Sequence, residues 1–231
     1  MRVNIIKHIA FLLILAVCFS SCTEKEEEPQ ELGCDCADEL FYYIFDEKRF
    51  LDDRFLNDWL LVGFEPQVQD AEIVNYINQT GLFKSVEVSS IVSHARSEDD
   101  YHMMFVNTKK PQTCSQLKET ISTLEKSSIV AYATLSFKGI SCFGFSCMDY
   151  MAFSHYFLVA VKDEDDLSDL YAVAEETNTW IKGQDQFMSD WFILRANKNS
   201  KGNTMQMTQY FQETGKFVWA SPNFIEAKDN R

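Results

Sequence analysis

Short, densely apolar runs and helix-period stripes follow one another along this chain in an order that occurs twice. Residues 59–64 (WLLVGF) are apolar and strand-length. Asp70 is placed to cap a helix over 71–80 whose Ile73, Tyr76 and Ile77 share one face. Strand patterns follow at 83–90 and 101–106. A second helix carries Leu117, Ile121 and Leu124, with Thr113 and Gln116 at capping-box spacing before it, and 129–137 completes the series. Downstream come a strand at 156–161 and a helix opened by Asp163, with Leu167, Leu170, Tyr171 and Ala174 on one face. Strands at 179–182 and 191–195, a helix with Met207, Tyr210 and Phe211, and a last strand at 217–224 follow. Each series is strand, helix, strand, strand, helix, strand. That order predicts an α+β fold of two tandem ferredoxin-like (βαββαβ) units.

The two series also share details. Asp58-Trp59 opens one and Asp190-Trp191 recurs in the other, and each is followed by a helix, a Thr-Gly pair and a strand. Gly81 and Gly215 are expected as left-handed helix stops, after which Phe83 and Phe217 enter the core. Internal duplication of one unit accounts for the match, including Ala133 with Phe137 and Ala220 with Phe224 at the ends of the halves. Several strands are apolar at consecutive positions, which implies that both faces of the sheet are covered. The sibling half is the expected cover.

The first residues form an address. A basic start with Arg2 and Lys7 precedes an apolar run over 9–19, too short to span a bilayer, that closes on Ser20-Ser21-Cys22. This resembles a bacterial lipobox, which implies a signal peptide over 1–21 and acylation of Cys22. Residues 22–38 begin with a charged stretch free of apolar residues and read as an acidic tether. Lys25 and the acidic residues around it resemble the surface-export signal of Bacteroidota lipoproteins. The expected location is the outer membrane, at its periplasmic face or at the cell surface. The remaining boundaries are an N-terminal unit over 39–138, a linker loop over 139–153, a C-terminal unit over 154–226 and a tail over 227–231.

Charge and candidate chemistry narrow the function. The formal charge is −14, and loss of Arg2 and Lys7 with the leader makes it two units more negative, so nucleic acid is a poor partner. His8 leaves with the leader. His94, His102 and His155 have no carboxylate or cysteine at motif spacing and read as structural or exposed. Besides Cys22 and the leader's Cys18, the chain has Cys34, Cys36, Cys114, Cys142 and Cys147. Cys142 and Cys147 bound a small loop and are the candidate disulfide, leaving the other three unassigned. Cys34 and Cys36 lack partners at zinc-ligand spacing, and the acidic runs at 97–100 and 163–166 lack calcium-loop spacing. No cofactor, no metal and no enzymatic activity are expected.

Residues 190–194 (DWFIL), the 199–203 turn (NSKGN), 210–217 (YFQETGKF) and 220–224 (ASPNF) resemble the N-terminal, prodomain-like region of Bacteroidota subtilisin-like serine peptidases. Residues 41–48 (FYYIFDEK) resemble the aromatic hairpin that opens such regions, which adds an N-terminal hairpin to the expected fold. The chain departs from the family in having no Asp-Thr-Gly, His-Gly-Thr or Gly-Thr-Ser-Met stretch, so no serine triad is expected. The resemblance implies a membrane-anchored, non-catalytic lipoprotein that binds a subtilisin-like serine peptidase as a stand-alone prodomain-like inhibitor or chaperone. In that arrangement Ile225, Glu226, Ala227, Lys228, Asp229, Asn230 and Arg231 would extend towards the active site. The alternative is a surface structural or adhesive module with no peptidase contact.

Overall fold

The computed structural model describes residues 39–44, 46–93, 100–139, 142–143 and 146–228, with backbone alone for residues 52, 142–143 and 146–147. The expectations placed on residues 1–38, on His94, on residues 97–99 of the acidic run, on a disulfide between the Cys142 and Cys147 side chains and on Asp229, Asn230 and Arg231 lie outside what is described. None of the described helices is long and apolar enough to cross a membrane.

The described fold is α+β, with four helices and a mainly antiparallel sheet. In the first half, strand β3 (Phe55–Phe64) leads into helix α1 (Asp70–Thr80). Short β4 (Ile91–Ser93) and β5 (His102–Asn107) follow, then α2 (Cys114–Leu124) and β6 (Val130–Lys138). The strands lie side by side in the order β6-β3-β5-β4. The second half holds β9 (Tyr150–Ala160), α3 (Ser168–Thr177), β10 (Trp180–Gln184), β11 (Trp191–Arg195), α4 (Thr204–Glu213) and β12 (Trp219–Ala227). Its order is β12-β9-β11-β10. Both orders are compatible with tandem βαββαβ units.

Period-two alternation sends neighbouring residues to opposite faces of each strand. Leu60, Val62 and Phe64 of β3 meet Ile73 and Ile77 of α1 and Leu117 and Leu124 of α2 in one core. In the second half, Phe157 and Val159 of β9 pack with Leu170 and Val173 of α3 and Met207 and Phe211 of α4. Thr113 and Asn203 close capping boxes with Gln116 and Gln206 at the starts of α2 and α4. Gly81 and Gly215 adopt φ of 70° and 66°, the left-handed region where a side chain is strained. Phe83 and Phe217, which follow them, are buried in the two cores, and the Phe217 ring stacks on Phe211.

The halves join edge to edge. Residues 136–138 of β6 pair with 150–152 of β9, so one sheet runs from β10 to β4. Where 139–153 was expected to be a loop, the chain makes a small hairpin of β7 (Cys142–Phe143) and β8 (Ser146–Cys147) and then enters β9 at Tyr150. The helix-free face of the first half holds Leu61, Tyr101, Met103, Phe105 and Tyr132. Tyr150, Ala152, Ile225 and Ala227 from β9 and β12 join it there, so the sibling half contributes to its cover.

Several local expectations need correction. Residues 83–90 do not form a strand: Phe83 makes a single bridge to Thr108 and Val88–Ser90 is a 3-10 turn. Asn78 explains the departure, because its side chain binds both the N–H and the C=O of Val86, diverting that backbone from a ladder. Asp70 is the first helical residue and not the cap. Helix α3 starts at Ser168 instead of Asp163, since the Asp163 and Asp166 carboxylates accept from the N–H groups of Asp165 and Ser168 and hold turns ahead of it. Tyr171, expected on the apolar face of α3, is exposed.

The N-terminal hairpin of β1 (Phe41–Ile44) and β2 (Glu47–Phe50) lies against the second half. Gln209 of α4 donates to the Phe41 carbonyl at 2.7 Å, and Trp219 Nε1 donates to the Tyr43 carbonyl at 3.4 Å. The Tyr43 hydroxyl donates to Glu213 at 2.9 Å. Burial and this carboxylate together push the Tyr43 pKa up to about 12. Leu40 is fully buried, and Lys118 of α2 pairs with Glu39.

Candidate docking face

The second half presents a sheet face that no helix of its own covers. Register sets three cross-strand rows on it. Ala160 lies between Trp191 and Trp219, Leu158 lies between Ile193 and Ser221, and Tyr156 is followed by Arg195 and then Trp180. Burial alternates accordingly: Phe192 and Leu194 are buried towards the helices, while Trp191, Ile193 and Arg195 are half-buried. Trp191 and Trp219 meet edge to face with centroids 5.1 Å apart. Trp180 is 41% exposed, with the Arg195 guanidinium 4.6 Å from its ring centroid. The result is an aromatic and aliphatic patch edged by cations.

At one end of this face the chemistry turns polar. Lys182 Nζ donates to the Tyr156 hydroxyl at 2.8 Å, and that hydroxyl donates to Asp100 at 3.3 Å. Burial raises the Tyr156 pKa despite the opposing pull of Lys182. Beside it the His155 ring is buried among Tyr101, Tyr132 and Tyr156, and among the described residues neither ring nitrogen has a hydrogen-bond partner. Asp100 lies 4.0 Å from His155 Nε2, too far for a hydrogen bond, so desolvation prevails and lowers the His155 pKa to about 3. The imidazole is neutral. His102 differs, with one ring nitrogen 3.2 Å from the Pro66 carbonyl and the other 3.7 Å from Asp70. Among the described residues no group of His, Cys, Asp and Glu is arranged to hold a metal ion.

The seven residues expected as an extended tail divide. Ile225, Glu226 and Ala227 belong to β12 and pair with Ala152, Met151 and Tyr150 of β9. They are half-buried, so these three are not free to lie in a cleft. Lys228 follows the strand and is exposed.

Of the paired motif residues, Trp191 reaches the docking face. Trp59 stands on the helix-free face of the first half, with its ring 4.1 Å from that of Tyr150. Cys142 and Cys147 stand opposite one another in the β7–β8 backbone register. Cys114, left unassigned by the sequence reading, is disulfide-bonded, and its partner lies outside the described side chains. Sequence reasoning missed Trp180, Tyr156, Lys182 and Arg195 as surface-forming residues. The alternation in residues 180–184 (WIKGQ) carried that signal, but the continuous apolar run at 191–194 masked it. No protein-family model matches the chain, and no curated protein matches it either.

Proposed function

We propose that this protein is a membrane-anchored, non-catalytic lipoprotein that binds a protein partner through the helix-free face of its second half. The partner is a subtilisin-like serine peptidase, for which the protein acts as a stand-alone prodomain-like inhibitor or chaperone. The observation that carries the reading is the half-exposed row of Trp191 and Trp219 over Ala160, with Leu158 and Ile193 beside it. Amphipathic aromatics in a patch edged by polar groups are the composition of a recognition surface. The resemblance of residues 190–224 to prodomain-like regions supplies the peptidase. Lipidation at Cys22 would hold the complex at the outer membrane.

The pairing of Ile225, Glu226 and Ala227 in β12 changes how such an inhibitor works: it docks by its sheet, not by inserting those residues in the substrate cleft. The same pairing favours a second reading, a surface structural or adhesive module with no peptidase contact. A titration of residues 30–231 against subtilisin-like peptidases separates them, run beside Leu158→Glu and Ile193→Glu variants whose folding is checked by circular dichroism. Saturable binding by the parent, lost in both folded variants, supports the docking face. Absence of binding by the parent removes the peptidase reading and leaves the surface module.

A further inference from the structure

The β10–β11 turn projects an apolar side chain from a tightly fastened backbone. The Asp185 carboxylate accepts from Phe187 N at 2.9 Å and from Met188 N at 3.2 Å. Trp191 N donates to the Met188 carbonyl, Asp185 N donates to the Trp191 carbonyl, and the Gln184 amide donates to the Ser189 carbonyl. A turn held at this many points is ordered before any partner arrives. Yet Phe187 at its tip is 84% exposed, and Met188 beside it 41%. At the same end of the sheet Val218 is 58% exposed, next to Trp219 and bonded through its N–H to the Ala160 carbonyl.

Exposed carboxylates follow the end of β9 at this same end of the sheet. Val161 N donates to the Asp190 carbonyl, and the exposed run Asp163, Glu164, Asp165 and Asp166 begins two residues further along the chain. Lys162 Nζ donates to the Gly215 carbonyl and keeps its charge, while Lys216 pairs with Asp169 at 2.9 Å, so the acidic residues of this stretch outnumber its cations. Arg195 stands at the other end of β11, so the Phe187 end of the face is the acidic one, complementary to a protein surface with an apolar pocket bordered by Lys or Arg. An anionic lipid surface would be repelled by the same acidic end.

We infer that Phe187 is the anchor of the docking face and that the carboxylates at its end of the sheet select a partner with a basic rim, an assignment that rests on the docking reading above. The test measures association and dissociation rates of the whole chain with a basic and an acidic subtilisin-like peptidase, at low and high salt. It compares the parent with Phe187→Ser, with a variant carrying Asp163→Asn, Asp165→Asn and Asp166→Asn together, and with Ile193→Glu. Phe187→Ser is expected to weaken binding to the basic peptidase at least tenfold, with an unchanged melting temperature. The triple neutralisation is expected to slow association several-fold and flatten its salt dependence. If the parent and Phe187→Ser bind equally while Ile193→Glu abolishes binding, the docking reading stands and the anchor is refuted. Tighter binding to the acidic peptidase refutes the charge assignment, and absence of binding by the parent removes both the reading and the anchor.

Discussion

The Tyr132 ring lies directly over Gly63: a Cβ built on Gly63 would come within 1.9 Å of Tyr132 Cε1. Only hydrogen at that position lets the ring lie flat on β3, where it meets Tyr101 and His155. Gly63→Ala is therefore expected to cost about 1–3 kcal/mol by overpacking. That lowers the melting temperature by roughly 2–4 °C per kcal/mol for a domain of this size. Tyr132→Ala removes the obstacle, so the double variant should lose less than the sum of the two singles when unfolding is followed by denaturant.

Gly81 and Gly215 make a contrasting pair. Each has open space around a built Cβ, so their requirement is for a positive φ and not for room. Ala at either site should cost about 1 kcal/mol, the strain of a left-handed residue at a helix end. Asn, which tolerates this region, should restore part of it, as Asn178 does naturally at the end of α3 with φ of 53°. Denaturant midpoints of the four single variants test the ranking.

Acid should destabilise the fold through His155. Its pKa is near 6.5 in the unfolded chain and about 3 in the folded one, so the neutral ring is the folded form. Its contribution is complete above pH 6.5 and is lost as pH falls towards 3, at up to about 1.4 kcal/mol per pH unit. Arg195 and Lys182 add to the cost of protonation, and Asp100 at 4.0 Å does not offset burial. Carboxylates titrate in the same range, so the measured quantity is the difference in unfolding free energy between the parent and His155→Phe. That difference should change across pH 6.5 to 4, with the variant losing less stability.

Reduction should also weaken the fold. Cys114 is disulfide-bonded and fully buried at the start of α2, in the core that Leu117 and Leu40 share. Reducing that bond is expected to cost about 2–4 kcal/mol. Denaturation with and without reductant measures the loss, and mass mapping of the unreduced digest identifies the partner cysteine.

Much of the helical half of this fold can be read from residue types alone. Ile73 and Ile77, Leu117 and Leu124, and Met207 and Phe211 carry a period of 3.6 that only one buried face satisfies, and Thr113 with Gln116 marks a helix start directly. The strands were less legible because apolar residues on a half-exposed face hide the alternation. Residues 191–194 read as uniformly apolar, though register leaves Trp191 and Ile193 half-exposed while Phe192 and Leu194 are buried. Register depends on partners distant in sequence, so the docking face, the β6–β9 junction and the pairing of Ile225 were not visible locally. The Phe83 to Ser90 misreading has a local cause, the Asn78 side chain, whose hold on Val86 follows from a geometry that spacing does not encode.

Strand β9 belongs to both halves of the sheet. Its first residues pair with β6 on one edge while its later ones pair with β11, and β12 follows it along the opposite edge. A crack between the halves would have to pull apart the same strand on which the second core is built. Residues 39–228 should therefore yield to heat or to force as one cooperative block, and an injury such as Gly63→Ala in the first half will be registered at Trp191 and Trp219 in the second.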